Sequence, residues 1–370
     1  MTQRSGGRTG RVTIRDVAER AGCGIATVSR VLNESGPASL ETRERVLAAA
    51  RELGFAFSEL GRSLQRQYSR TLAVLVPSLA NPVFAEAIEG AQQAAAEAGY
   101  QILLACANYD EALEEEAVRT FLAKQADGVV LVVSDPDDSL ALALLRKARV
   151  PYCLMFNQPS AAEPSVGVDN VAAAGAAGEI LIRAGHVRAA FLALRFRTSE
   201  RARLRHQGFC EALAAAGLAP PPLIEVDYAP ERLAEDLSAL FAVEPDVTAL
   251  FASNDMLALA AIRALRVLGL RVPQDVGVVG FDGIALSELV DPGLATIRTP
   301  SREMGRVAAV RVVEAIRGGR PVAAESLHLP FTFRSGGSLG VRGPLLPAED
   351  LRRPMSTERP TSREHPRKLT

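Results

Sequence analysis

From Thr71 onward, short apolar runs alternate with amphipathic helical stretches, and this alternation leaves few folds open. TLAVLV, YQILLAC, GVVLVV and PYCLMF read as strands buried on both faces, separated by helices over 82–98, 112–124 and 140–148. The pattern then repeats as VRAAFLAL, LIEVDY, TALFAS and VGVVGF, with helices over 203–216, 233–241 and 254–268 between them. Buried runs joined by helical crossovers build a parallel sheet covered on both faces. Two doubly wound parallel-sheet lobes therefore follow each other. A late helix over 304–316 is expected to return to the first lobe, so that several segments cross between the two.

The N-terminal region has a different period. In VTIRDVAERAG, Thr13 is placed to cap a helix whose third position, Asp16, suits the positive end of the helix dipole. Ile14, Val17, Ala18 and Ala21 form its apolar face, and Gly22 ends it. After the turn Gly22-Cys23-Gly24, a second helix puts Val28, Val31 and Leu32 on one face. Ile25, Ala26, Ser29, Arg30 and Asn33 lie on the other. Short side chains at Ala26 and Ser29 let a backbone approach a groove floor, where Arg30 can reach guanine O6 and N7 with two hydrogen bonds. Ser39 caps a third helix, in which Val46, Leu47, Ala50 and Leu53 recur at helical spacing. Such a face describes a helix-turn-helix that enters the major groove, but any small three-helix domain can show the same amphipathic pair.

TIRDVAERAG followed by ATVSRVLN, with ETRERVLAAARELGF after it, closely resembles the headpiece of the LacI/GalR family of bacterial transcription repressors. The resemblance implies that Ile25, Ala26 and Arg30 read bases. It implies that Thr27, Ser29 and Asn33 contact phosphates, with Thr13 at the edge of the same DNA-contacting set. Gly24 stands where the family usually has serine, which removes one hydroxyl. The family's body has the architecture of periplasmic sugar-binding proteins, the same two lobes reached above from periodicity. The expected fold is thus an all-α helix-turn-helix headpiece on a periplasmic-binding-protein-like α/β body.

Charge is distributed as such a division requires. Residues 1–70 carry a net +5, residues 335–370 a net +3, and the stretch between them −9. A basic head on an acidic body is expected when only the head meets a polyanion. No apolar run reaches the length of a membrane span, and MTQRSGGRTGR lacks the apolar stretch of a secretory signal, so a cytoplasmic protein without membrane contact is expected. Cys23, Cys106, Cys153 and Cys210 have neither paired nor metal-ligand spacing and read as reduced thiols, mostly buried.

The expected division is a disordered leader at 1–11, a DNA-binding domain at 12–57, a hinge and linker at 58–70, a ligand-binding and dimerisation body at 71–334 and a disordered tail at 335–370. SELGRSLQ in the hinge is too short and weakly apolar for an isolated helix. By the resemblance it folds when two chains lie side by side on DNA, with Leu64 wedged into the minor groove. Such a wedge unstacks a base step at a cost of about a few kcal/mol. Phe57-Ser58 and Gly61 depart from the family's Pro-Asn and alanine, and Gly61 costs a helix about 1 kcal/mol relative to alanine.

Ligands of open parallel sheets bind beyond the carboxyl ends of the strands. Those ends carry Ser78, Asn81, Phe84, Asn157 and Asp169 in the first lobe. In the second they carry Arg205 with Arg201, then Tyr228, Asn254, Asp255 and Asp282. Carboxylates, amides, guanidinia and two rings suit a polyhydroxylated ligand. ANPVF, RARLRHQGF, FASNDMLALA and GFDG are similar to the family's effector-binding stretches. The resemblance puts Arg205, Asn254 and Asp282 first, then Asn157, Asp169, Phe84 and Tyr228. Each Asp or Asn could instead be a helix cap; Asp110, Asp135 and Asp291 read as turn residues.

His186 and the other histidines have no catalytic partner at useful spacing, GVVGFDG follows no dinucleotide pattern, and no metal-ligand cluster is present, so neither cofactor nor metal is expected. The sequence thus points to a homodimer, or a tetramer, that binds double-stranded operator DNA. A small effector, most simply a sugar, would control that binding. A transporter's solute-binding protein and a sugar-processing enzyme with a regulatory head are the alternatives. The first lacks a reason for the headpiece, and the second lacks a catalytic pair.

Overall fold

The computed structural model describes residues 12–33, 36–55, 69–158, 163–228 and 231–342. The expected leader, the tail beyond 342 and nearly all of the hinge, Leu64 included, lie outside the described residues. The chain divides into two compact units, 1–69 and 70–370.

In the first unit, α1 (Ile14–Ala21) starts at Thr13, whose N–H and hydroxyl both donate to the Asp16 carboxylate, at 2.7 and 2.8 Å. Gly22 stops the helix at φ 64°, a left-handed conformation that costs an ordinary residue about 1–2 kcal/mol. α2 (Ile25–Asn33) and α3 (Leu40–Glu52) complete the unit, with Ser39 Oγ accepting the Thr42 N–H. Val17, Val28, Val31, Val46, Ala49 and Ala50 close the core. Leu47, expected in that core, is 41% exposed: Val46 takes the inward position, and the next turn presents Ala49 and Ala50.

In the second unit, the first lobe runs β1 (Thr71–Val76), α4 (Pro82–Glu97), β2 (Gln101–Cys106), α5 (Glu111–Ala123), β3 (Gly128–Leu131), α6 (Leu140–Ala148), β4 (Tyr152–Met155) and β5 (Ser165–Gly167). The second lobe runs α7 (Asn170–Arg183), β6 (Ala189–Leu194), α8 (Glu200–Ala215), β7 (Leu223–Val226), α9 (Leu233–Val243), β8 (Ala249–Ala252), α10 (Asp255–Val267), β9 (Gly277–Asp282), α11 (Leu286–Leu289) and β10 (Ala295–Arg298). The chain then returns to the first lobe for α12 (Ser301–Gly318) and β11 (Ser326–His328), and ends in the second with β12 (Thr332–Arg334). The strand orders are β11-β5-β4-β3-β1-β2 and β12-β10-β9-β8-β6-β7, so one topology is used twice. Among the described residues every strand pairing is parallel except that of β12 with β10. The chain crosses between the lobes three times, near 168–169, 299–300 and 329–331, in keeping with the expected return of the late helix.

Each lobe has a pair of helices in backbone contact. A Cβ at Gly305 of α12 would stand 1.8 Å from the Ala87 carbonyl of α4, and one at Gly208 of α8 would stand 2.0 Å from the Val171 carbonyl of α7. Only glycine allows that approach. α8 begins at Glu200, three residues before the expected start, because Ser199 caps it by accepting the Ala202 N–H.

The tail boundary expected at 335 is too early. Residues 335–342 lie along the second lobe: Val278 N–H donates to the Ser338 carbonyl at 2.7 Å, and Ser338 and Leu339 are buried. The buried His186 ring bridges Thr248 Oγ1 and the Leu339 carbonyl, both at 3.1 Å. Backbone bonds, the Ser338 hydroxyl and the Arg342 guanidinium hold this strap, and such isolated contacts leave no side-chain periodicity to read. All four cysteines are free, but only Cys153, in the interior strand β4, is buried. Among the described residues no helix is long and apolar enough to cross a membrane. No cluster of His, Cys, Asp or Glu among them could hold a metal ion.

Candidate functional site

Two surfaces carry the candidate residues. On the head, the inward side of α2 is filled by Val28 and Val31, which leaves Ala26 and Arg30 exposed and Ile25 at 44% exposure. Thr27 and Ser29 are partly exposed beside them. The Arg30 guanidinium lies along its own helix, donating to the Ala26 carbonyl at 3.3 Å and to Thr27 Oγ1 at 3.4 Å. Both contacts are long, so little holds the guanidinium against a better acceptor. Thr13 starts α1 and Asn33 ends α2.

On the body, the strand order reverses direction beside β1 and β6, and chain leaving neighbouring strands there parts to open a crevice. Asn81 and Phe84 line it from the first lobe, and Arg205, Asn254 and Asp282 line it from the second. Both amides double as caps: Asn81 Oδ1 accepts the Val83 N–H at 3.3 Å, and Asn254 Oδ1 the Leu257 N–H at 2.8 Å. Both residues thus cap a helix and line the crevice.

Arg205 is 6% exposed and sits 3.5 Å from an Asp282 carboxylate oxygen. Its Nε donates to Asn170 Oδ1 at 2.9 Å, another nitrogen donates to the Ser253 carbonyl, and its guanidinium carbon lies 3.6 Å from the centre of the Phe281 ring. Burial lowers the Arg205 pKa to about 10, which leaves it a cation at neutral pH. Burial also raises the Asp282 pKa to about 6, with Arg205, Asn81 and Arg201 offsetting part of that rise. The two groups shift against ionisation together, so each gains from a further hydrogen-bonding partner.

Asp282 occupies φ 113°, an unfavourable conformation for a side chain. Asp255, fully buried, sustains it: its carboxylate accepts the N–H groups of Gly283 and Ile284 at 2.9 Å each and the Thr296 hydroxyl at 2.6 Å. Asp255 is therefore a support for the site, and burial raises its pKa to about 7. On its other side, the Asp282 carbonyl accepts the N–H of Thr299 at 3.0 Å, with the Thr299 hydroxyl at 3.3 Å. Thr299 belongs to the second crossing, so Asp282 touches both the crevice and the joint between the lobes.

Two pairs of rings cover the apolar side. Phe84 meets Phe156 edge-on at 5.2 Å, and Tyr109 of the first lobe stacks on Tyr228 of the second at 5.4 Å and 27°. Tyr228 Oη faces the Ser78 hydroxyl without a hydrogen bond of normal geometry. Neither Ser78 nor Tyr228, both expected at the site, lines the crevice itself; Tyr228 reaches it only through Tyr109. Sequence reasoning missed Tyr109, although it follows β2 and the strand-end rule applies to it. Burial raises the Tyr109 pKa and keeps its phenol neutral.

Asn157 and Asp169 are not brought to the crevice. Asn157 exchanges hydrogen bonds with the Val133 backbone at 3.1 and 2.9 Å and donates to Glu200 at 2.9 Å, across the seam between the lobes. Asp169 caps α7 by accepting the Ala172 N–H at 3.0 Å and lines a different concavity. Asn157 comes directly after Phe156, which does line the crevice, but the Asn157 side chain is taken up by Val133 and Glu200. The seam is further held by Glu200 N–H to the Ser134 carbonyl at 2.9 Å and by Arg201 to the Val133 carbonyl at 3.1 Å. Asp135, read as a turn residue, also joins the seam through Arg203 at 3.1 Å, and Asp110 caps α5. With the lobes so joined, the free space in the crevice is about 20 Å³, which suits a water and not a sugar ring.

A helix-turn-helix on the same chain as a two-lobed body with a polar interlobe crevice defines a ligand-responsive DNA-binding regulator. The chain belongs to the LacI family: the model for bacterial regulatory proteins of that family matches residues 13–57, and the model for periplasmic binding proteins and the family's sugar-binding domain matches 69–333. It is similar to the HTH-type transcriptional repressor CytR of Escherichia coli, 33% identical over 83% of this chain and 90% of that one. Among solved structures it resembles a lac repressor dimer bound to operator and the anti-inducer ONPF, with TM-score 0.77 and 27% identity over 90% of this chain and all of that one. It also resembles the transcriptional regulator CelR in complex with cellobiose, with TM-score 0.65 and 32% identity over 89% of this chain and all of that one. The protein is accordingly a transcriptional regulator. The curated relatives it matches are named transcriptional repressors and regulators, not enzymes.

Proposed function

We propose that the protein is a repressor whose homodimer binds a pseudo-palindromic operator, with half-sites about one helical turn apart, and whose effector is a sugar or related polyol held in the crevice. The observation that carries the ligand half is the buried Arg205–Asp282 pair, open to hydroxyl groups on one side and bonded to Thr299 on the other. The lac repressor dimer on operator supports the assembly, and the cellobiose complex supports the ligand class. In this reading Arg205, Asn254 and Asp282 hold the hydroxyls, assisted by Asn81. Phe84, Tyr109 and Tyr228 cover the ring. Ser78 positions Tyr228, and Asn157 and Asp169 act on the joint rather than on the ligand.

The DNA half rests on the exposed face of α2. Ile25, Ala26 and Arg30 face bases, and Thr13, Thr27, Ser29 and Asn33 face phosphates. The working division is a head at 12–57, a hinge at 58–70 and a receptor from 71 through the strap at 342. The site of action is the cytoplasm, on the nucleoid when DNA is bound. The effector works only through its different affinity for the two lobe arrangements, and a ring too large for 20 Å³ must part the lobes to enter. Parting them moves Asp282 against Thr299, and so transmits occupancy to the crossing.

Selection from random duplexes with the full-length protein is expected to enrich a two-fold symmetric site, and a sugar and polyol panel to contain a compound that shifts its affinity. Enrichment of no sequence would overturn the DNA half, and a silent panel the ligand class. Leu64→Ala is expected to weaken operator binding and reduce the bend by electrophoretic phasing; an unchanged bend removes Leu64 as the wedge.

Effector affinity should also depend on pH. The Asp282 pKa is raised to about 6, so the carboxylate that accepts hydroxyls is present above that value and lost below it. Arg205, Arg201, Glu86 and Asp255 are the charged groups that act on it. Effector Kd is expected to rise toward tenfold per unit as pH falls below about 6. A Kd constant between pH 5 and 7.5 by calorimetry would show that Asp282 does not bind the ligand.

A further inference from the structure

Arg201 is a buried charge in the crevice that the Arg205–Asp282 pair leaves unanswered. It is the second residue of α8, is 4% exposed and lines the crevice. Among the described residues its guanidinium makes a single hydrogen bond, to the Val133 carbonyl at 3.1 Å, and forms no ion pair. The nearby carboxylates are engaged elsewhere. Asp282 faces Arg205, Glu200 accepts Asn157 and the Gln158 N–H, and Glu114 accepts the N–H and hydroxyl of Ser134. A guanidinium holds its N–H donors in a fixed fork, and one bond leaves most of this fork unsatisfied. Its free nitrogens are not sealed in protein, so they open onto the crevice.

The surroundings carry the same sign. Asn81, Ser199 and Asn254, which line the crevice, cap α4, α8 and α10, so the N-termini of three helices face it. Each such end bears a partial positive charge of about half an elementary unit. Among the lining side chains two arginines stand against one aspartate, an excess of one positive charge. A buried cation without a counter-charge is costly, and a ligand entering the crevice is placed to supply one.

We infer, resting on the sugar reading above, that the effector is a carboxylated sugar, an aldonic or uronic acid, whose carboxylate pairs with Arg201 while its hydroxyls meet Arg205, Asn254 and Asp282. A carboxylate brings the negative charge that the lining lacks, and its two oxygens match the fork of a guanidinium. A phosphate ester brings about two negative charges at neutral pH, more than the excess it would meet. Asp282 sets the orientation, because a carboxylate placed beside it would be repelled. Arg201 also bonds Val133 across the seam, so through it the acid end of the ligand reaches the joint between the lobes.

The test is titration calorimetry of the full-length protein with the gluco, galacto and manno series, each as the neutral aldose, the aldonate, the uronate and the 6-phosphate. In at least one series the aldonate or uronate is expected to bind about thirtyfold or more tightly than both the aldose and the phosphate ester. Arg201→Gln is expected to narrow that preference to within about threefold by weakening the acid, and Arg201→Lys, which keeps the charge without the fork, to restore at least about fivefold. Equal affinity of the unaltered protein for acid and aldose would overturn the inference and leave the sugar reading standing. Tighter binding of the phosphate ester would overturn it too, as would an acid preference untouched by Arg201→Gln or not restored by lysine. No binding of any member of the three series would overturn both. The comparison within each series is made on the unaltered protein, so it decides the matter even where a variant does not fold.

Discussion

Asp282→Ala is expected to abolish the effector response, raising the effector Kd at least 100-fold, while the affinity of the ligand-free protein for operator stays within twofold. The carboxylate is buried beside Arg205 at 3.5 Å, and its removal deletes a hydroxyl acceptor and leaves a guanidinium without its counter-charge. Removing one partner of a buried pair costs about 3–5 kcal/mol of stability. Asp282→Asn therefore provides the companion measurement: it keeps the shape, and asparagine tolerates the positive φ of 113° better than most residues. Both variants retain the carbonyl that bonds Thr299, so the joint is preserved while the ligand contact is lost. A mobility-shift titration with effector reads the outcome, and a normal response in both variants would remove Asp282 from the site.

Arg30→Ala is expected to cost about 1–3 kcal/mol, or roughly 5- to 150-fold, at a single base position and to relax preference there. The guanidinium is exposed, and its two contacts, at 3.3 and 3.4 Å, are weak. The folded head should lose less than about 0.5 kcal/mol. Duplex selection with the variant separates the two possible roles. Loss of discrimination at one position marks a base contact. A uniform loss across all sequences, with a smaller salt dependence, marks a phosphate contact and refutes the assignment to guanine.

Most of the architecture was legible because both regimes write strong periods. LAVLV and VGVVGF carry no polar side chain since both sheet faces are covered, and Val17 with Ala21, Val28 with Val31 and Val46 with Ala50 recur at helical spacing because three short helices share one core. Within the crevice, Arg205, Asn254 and Asp282 were reached from the polar residues that come after each strand. The same rule named Asn157 and Asp169, because it takes no account of polar groups already engaged: Asn157 is committed to Val133 and Glu200, and Asp169 to the Ala172 N–H. Tyr109 comes after an edge strand and enters the crevice by stacking on Tyr228 from the other lobe.

The amino-acid order by itself determined the helix-turn-helix with Arg30 outward, the two repeated α/β lobes and the set of residue types suited to hydroxyls. These arise from local periodicity and from chemistry carried by single side chains. Tertiary structure alone decided that Asp255 supports Asp282 rather than a ligand, that Ser338 and His186 tie down a strap without periodicity, and that Asp282 touches Thr299 at the joint. Each of these depends on buried polar groups finding partners far away in the chain, and such pairing is settled by the packing of the lobes rather than by neighbours in sequence.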